Sequence, residues 1–358
     1  MILDYSEIIN KLSNLNLSHY SRNRNFIDGD VTMLSPYISR GLISTKIVLN
    51  TVLSQKINLA KIEKFIQELA WRDYWQIIWK HNDINVDMRH PQLNVINNGV
   101  PKAILNAKTG VIAIDNAIKK LYKEGYIHNH LRMYISSVVC NIAKCHWKIP
   151  AQWFYYYLID GDWGSNALSW QWICGTNSSK KYYANQKNIN LFCHTNQKNT
   201  FLDKDYSVLR NEAPPKILTC CEKPQLKPFS IESNLYIDKN KPSLIYNYYN
   251  VDPIWRKNLD ANKILLIEPS VFKKYPVSKK NIDFLISLSK NIDKIQLFFG
   301  EFDELKKKLY NSEIYFKEHP LNNNYTGNCD NRDWMFSTQK PFPSFFKFWQ
   351  NYKSEIGL

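Results

Sequence analysis

Residues 158–172, LIDGDWGSNALSWQW, crowd the side chains that could do chemistry into one short stretch. They include the carboxylates Asp160 and Asp162, the amide Asn166 and the indoles Trp170 and Trp172. Paired carboxylates accept hydrogen bonds from N–H groups or bind cations, while indoles are oxidisable and stack on flat rings. Asp-Gly-Asp alone reads as a turn, because Gly161 permits a tight backbone and Asp caps whatever helix follows. A calcium loop would need further oxygen ligands at alternate positions and a closing Glu, so no metal site is expected here.

Three upstream stretches carry chemistry that would complement it. In YSRNRNFIDGDVTMLSPYISRG at 20–41, Thr32 and Ser35 place hydroxyls and backbone N–H groups ahead of a helix that Pro36 can begin. Such helix starts attract phosphate. In ELAWRDYW at 68–75, Glu68 and Arg72 stand four apart, an ion-pair spacing on the apolar helix that Ile62, Phe65, Ile66 and Leu69 predict. Trp71 lies between them, either as core or as a stacking platform. GYIHNHLRM at 125–133 adds Asn129, His130, Arg132 and Met133.

These four stretches, in this order and at this spacing, resemble the cryptochrome/photolyase flavoprotein family over roughly residues 5–195. The resemblance implies an FAD cofactor. Tyr20, Val31, Thr32, Met33, Leu34 and Ser35 would then cradle its pyrophosphate. Val31 and Met33 depart from the family's usual Thr and Arg. Arg72 and Arg132 would lie near the flavin, Asp160, Gly161 and Asp162 would bond its ring, and Asn166 would face its N5. Glu68, Trp71, Asn129, Met133 and Trp172 would hold a flipped-out pyrimidine dimer, with Arg24, His130, Lys180 and Lys181 on the DNA backbone. Trp170 and Trp147 would relay electrons to the flavin. The relay's outer member would fall near Asn94, where no tryptophan stands, leaving Trp79, Trp153, Trp163 and Tyr155 as candidates.

The function so implied is light-driven repair of cyclobutane pyrimidine dimers in UV-damaged DNA. Strandedness and any antenna chromophore are left open. The alternative is a cryptochrome-like blue-light receptor that binds FAD without repair. A third reading is a nucleic-acid-binding relic that has lost its flavin.

The whole chain of 358 residues suits two domains, and its net charge of +15 suits a polyanionic partner, although a coding bias toward Lys and Asn would also raise it. Seven cysteines without a CxxC pair indicate reduced thiols rather than a zinc or iron–sulfur centre. Acidic residues near the start and the lack of a run of about 20 apolar residues predict a cytoplasmic monomer with no membrane partner. Helices are expected over 5–18, 62–81, 113–123 (ended by Gly125) and from 125 through Cys145, with a loop over 82–108. Residues 205–242, rich in proline, read as a surface linker. Beyond them LIYNY, KILLIEP, IQLFFG and IYFKEH are buried-strand runs, with helices between them at 279–291 and 301–310. The fold class expected is therefore α + α/β: an all-helical FAD-binding domain at 1–205, a linker at 206–242 and a small parallel-sheet α/β domain at 243–358. The last shows no GxGxxG or P-loop, so nucleotide binding there is not indicated. An aromatic tail, Trp334 and Phe342–Trp349, should pack one domain on the other.

Overall fold

Cap chemistry sets several helix ends. Asp4 accepts from the Glu7 N–H and starts the first helix, Tyr5–Ser13, which stops at Asn14, short of the expected residue 18. Gly125 (φ +72°) and Gly175 (φ +87°) end the helices Ile112–Glu124 and Trp163–Cys174 in left-handed conformations that glycine adopts without strain. The structure, a computed structural model, describes every residue except Asn311 and Thr338. No helix among the described residues is long and apolar enough to cross a membrane.

Packing divides the chain into two units. One comprises Met1–Ser18, Thr32–His81 and Lys227–Leu358; the other comprises His19–Val31 and Asn82–Leu226. The expected division at 205 and 242 does not coincide with these units, for a reason visible in the side chains. On the helix Leu59–His81, Trp71 stacks on Phe345 of the C-terminal helix Phe345–Tyr352, with centroids 3.7 Å apart and planes 10° apart. Arg40 lies over the Tyr248 ring at 3.6 Å. Gly41 (φ +61°) passes so close to the Tyr249 carbonyl that a Cβ would sit 2.2 Å from it. The early helices thus share one core with the C-terminal half.

That first unit carries the sheet. The short ribbon of the other unit supplies β1 (Val100–Pro101) and β2 (Cys221–Glu222), so the sheet strands are β3 (Ser243–Tyr246), β4 (Asn262–Ile267), β5 (Gln296–Phe299), β6 (Ile314–Lys317) and β7 (Asn328–Asp330). All five are parallel, in the order β5-β4-β3-β6-β7. The four apolar runs form the expected strands. Helices Lys279–Ser289 and Phe302–Lys308 follow the expected pattern, and a core of Ile245, Ile264, Leu266, Phe298, Phe302 and Leu305 fills one face.

The second unit is helical. Helix Asn129–Ser137 runs into a π-helical turn at Val138–Ile142 rather than continuing as one helix to Cys145. Helix Trp163–Cys174 buries residues around most of its circumference, as a central helix must. Its Trp170 and Trp163 meet the buried Phe154 and Tyr155 edge-on. The expected loop at 82–108 contains β1 and the helical turn Lys102–Leu105. The expected linker contains helix Tyr206–Asn211 and β2, paired antiparallel to β1. The ribbon pairs Val100 with Glu222 and Pro101 with Cys221, joining the two segments.

Candidate functional site

In the helical unit the acidic turn is built from both sides. Arg132, on helix Asn129–Ser137, donates through Nη2 to both oxygens of Asp160, at 3.0 and 2.9 Å, and through Nε to the Ile127 carbonyl at 2.8 Å. Asp160 is 5% exposed, so this charge-assisted pair is held out of water. A Cβ on Gly161 would lie 2.8 Å from the Leu158 carbonyl, which is why glycine occupies the centre of the turn. Asp162 caps the next helix, accepting from the Ser165 N–H at 2.7 Å. Asn166 donates to the Ala151 carbonyl at 2.8 Å.

Around this turn the ring systems are packed in series. Trp170 meets Phe154 edge-on at 5.1 Å, Phe154 meets Trp153 at 4.9 Å, and Trp153 meets Tyr122 at 6.2 Å. Of the candidates for an outer relay member, Trp153 is thus connected to Trp170 through a ring. Trp163 pairs with Tyr155 at 5.5 Å instead, and Trp79 belongs to the other unit. Trp147 is fully buried, with its Nε1 donating to Asp87 at 2.7 Å and its backbone N–H to Gln92 at 3.0 Å. Asp87 and Phe154 were missed in the sequence. Asp87 sits in an Asn-rich stretch that reads as loop, and Phe154 reads as ordinary core.

The remaining expected residues scatter by exposure. Asn129 and Lys180 are exposed, Trp172 is 38% exposed, and Met133, Arg24 and Tyr20 are half-buried. Lys181 donates to the Leu93 carbonyl at 3.1 Å. His130 points inward, with Nδ1 2.9 Å from the Asn25 carbonyl and its ring against Tyr134 and Phe192; burial lowers its pKa. His128 is lowered further, to about 4, by burial and then by the neighbouring His130 and Arg132. Val31 closes one stretch of this unit, and Thr32 opens the adjoining stretch of the other.

In the sheet unit, Met33 adopts φ +55°, and Leu34 follows at φ −89°, ψ −14°. Successive left- and right-handed residues turn consecutive N–H groups to one side, a nest suited to anions. Thr32 and Ser35 add hydroxyls, that of Thr32 accepting the Leu34 N–H at 3.4 Å, and no acidic side chain interrupts 31–35. Arg72 donates to the Ser39 hydroxyl at 2.9 Å, and Glu68, one turn before it, and Trp71, next to it, are half-buried. This donor set fits the diphosphate of FAD. In the helical unit the buried Ser165 hydroxyl, which meets no partner, leaves a polar atom beside the carboxylates for a bound group.

Residues 65–215 match the family described as the FAD binding domain of DNA photolyase. This helical segment is similar to that family over somewhat less than half of the chain. The deoxyribodipyrimidine photo-lyase of Alkalihalophilus pseudofirmus is 29% identical over 174 residues, covering 47% of this chain and 36% of that protein. The mitochondrial enzyme of Saccharomyces cerevisiae is 28% identical, covering 46% of this chain and 32% of its own length. Cryptochrome-1 of Arabidopsis thaliana is 25% identical, covering 45% and 26%. Among solved structures, the Synechocystis cryptochrome aligns with a TM-score of 0.48 at 20% identity, over 53% of this chain and 43% of that one. The aligned part spans about a third of the length of the first two photolyases. The photolyase-type segment therefore includes the acidic turn and its ring series, but not the parallel sheet.

Proposed function

We propose that this chain is a light-driven DNA-repair enzyme that splits cyclobutane pyrimidine dimers with FAD as cofactor. What carries the reading is the Arg132–Asp160 pair beside Asp162, Asn166 and Trp170, within a segment that matches photolyase. Bound and reduced, FAD would supply under blue light the electron that opens the dimer's ring, and would take it back afterwards. Tyr20 and Val31–Ser35 hold the diphosphate, Arg72 lies near the flavin, and Asp160, Gly161 and Asp162 bond its ring. Arg132 fixes Asp160 as a carboxylate, so that it accepts and does not donate. Glu68, Trp71, Asn129, Met133 and Trp172 hold the dimer. Trp170 and Trp147 relay electrons, with Asp87 orienting the Trp147 indole and Trp153 as the outer branch. Arg24, Lys180 and Lys181 follow the DNA backbone, while His130, turned inward, positions its helix.

A second reading, a blue-light receptor without repair, is favoured by one contact: a face of Trp71 is already covered by Phe345. Photoreduced full-length protein, UV-irradiated oligothymidine and blue light, with a dark control, decide between the two. Repair expects light-dependent loss of dimers. It also expects Glu68→Ala to lower the yield about ten-fold, the worth of one charged hydrogen bond, with flavin absorbance unchanged. Absence of repair with FAD bound and reduced would leave the receptor.

A further inference from the structure

The parallel sheet offers a second place for a ligand. From β3 the chain builds outward through β4 and β5, then returns to lay β6 on the opposite side of β3. Chain connections therefore diverge between β3 and β6, and the crevice beyond the carboxyl ends of two such strands is where open α/β sheets take ligands. Here the segment Asn247–Asp252 leaves β3 and Lys317–His319 ends β6. Both line a cavity of about 40 Å³ together with Arg332. That is room for about three water-sized groups, far below the roughly 300 Å³ or more of a pocket for a nucleotide or chromophore.

Its polar groups are unevenly matched. His319, 8% exposed, stacks on Tyr249 at 4.1 Å and meets Trp79 edge-on at 5.0 Å. Its Nδ1 accepts the Leu321 N–H at 3.2 Å, which puts the neutral ring's proton on Nε2. Nε2 is buried and meets no acceptor. Asn250, 6% exposed, spends its Oδ1 on the Asp252 N–H at 3.4 Å, while its Nδ2 also meets no acceptor.

The carboxylates at the crevice are already engaged. Asp252 takes Lys317 at 2.7 Å, Glu318 takes Lys80 at 2.5 Å, and Asp333 accepts from the Ser44 hydroxyl. Arg332 donates to the neutral Gln76 at 3.0 Å, lies 5.2 Å from the Trp334 ring, and its charge opposes the rise that burial gives the Asp73 carboxyl. The crevice thus has two buried N–H donors without acceptors beside a guanidinium, a balance that an anion with several acceptor oxygens would close.

The geometry points to a binding site for a small oxyanion of phosphate's size, free or as the end of a larger ligand, between β3 and β6, held by His319, Asn250 and Arg332. None of His319, Asn250 and Arg332 lies in the segment matched to photolyase, so the site stands or falls without the repair assay.

Calorimetric and ³¹P NMR titration of the full chain with inorganic phosphate in chloride buffer tests it. Saturable one-to-one binding is expected. His319→Phe, which keeps the ring stack but has no N–H, and Arg332→Gln should each weaken binding about ten-fold, the worth of one charged hydrogen bond. Asn250→Ala serves if circular dichroism shows either variant misfolded, and the remote Lys290→Ala should bind as the parent does. Methyl phosphate binding as tightly as phosphate would identify the end of a larger ligand as occupant; phosphate alone binding would identify the free anion. No saturable binding of either, meaning that water fills the crevice, would overturn the proposal. So would binding indifferent to His319→Phe, Arg332→Gln and Asn250→Ala, the mark of an adventitious ion only.

Discussion

His128 and His319 are built alike and placed differently. Each accepts a backbone N–H from two residues ahead on Nδ1, from His130 and Leu321 respectively, both at 3.2 Å. Neither Nε2 makes a well-formed hydrogen bond, although His128 feels the Arg24 backbone, and burial depresses the pKa of both. His128 caps the helix that carries Arg132, in a neighbourhood of groups matched except for the Ser165 hydroxyl: Arg132 on Asp160 and Ile127, Asp162 on the Ser165 N–H, Asn166 on Ala151. His319 stands at the divergence of two strands, where Asn250 is equally unmatched. The same Nδ1 cap therefore opens an α-helix in one unit and a 3-10 turn in the other, where the ring also faces a cavity. What lies opposite the ring decides.

The comparison can be broken most forcefully at Asp160. Asp160→Ala strands the Arg132 guanidinium in a largely buried position and should cost about 3 kcal/mol or more in urea unfolding. A loss under about 1 kcal/mol, the range of a surface pair, would mean that the turn is not the matched network described.

Next comes acid. An unfolded chain protonates His128 near its ordinary value, whereas the folded chain resists until about 4. The unfolded state thus binds the extra proton in that window, and stability present above about pH 6.5 falls as pH drops toward 4. His128 contributes on the order of 3 kcal/mol to that fall. Melting temperatures of His128→Gln between pH 7 and pH 4 should decline less steeply than those of the parent; equal slopes would remove His128 from the explanation.

Smaller still, Asp162→Ala deletes the cap on Ser165 and should cost about 1 kcal/mol, read from the denaturation midpoint. Smallest is the unliganded stability of His319→Phe. Removing an unmet donor offsets the loss of the Leu321 bond, so the net change should stay within about 1 kcal/mol. A large loss there would show His319 matched after all, erasing the contrast with the acidic turn.

Much of the fold was legible before any coordinates. Buried parallel strands are unbroken apolar runs, so β3, β4, β5 and β6 stood out. β7, Asn-Cys-Asp at an exposed edge, has no such run and was missed. Gly125 and Asp162 announced their helix ends because left-handed φ and N-cap bonding are local requirements. The π-helical turn at Val138–Ile142 was hidden, since its sequence, VVCNI, has an ordinary helical composition. The aromatic tail was expected to join the two halves, and Phe345 and Phe348 do pack against Trp71 and Tyr74. Its consequence was not foreseen: residues 1–18 and 32–81 share a unit with the sheet.

By itself, then, the sequence determined what is set within a few residues or by a run's composition: helix caps, strand cores, the acidic turn and the motif order that marks the family. Only the tertiary structure decided which rings form a series from Trp170, which face of Trp71 is covered, and that His319, Asn250 and Arg332 surround one cavity. Those depend on pairings between residues far apart in the chain, and no local preference encodes a partner that folding alone brings near.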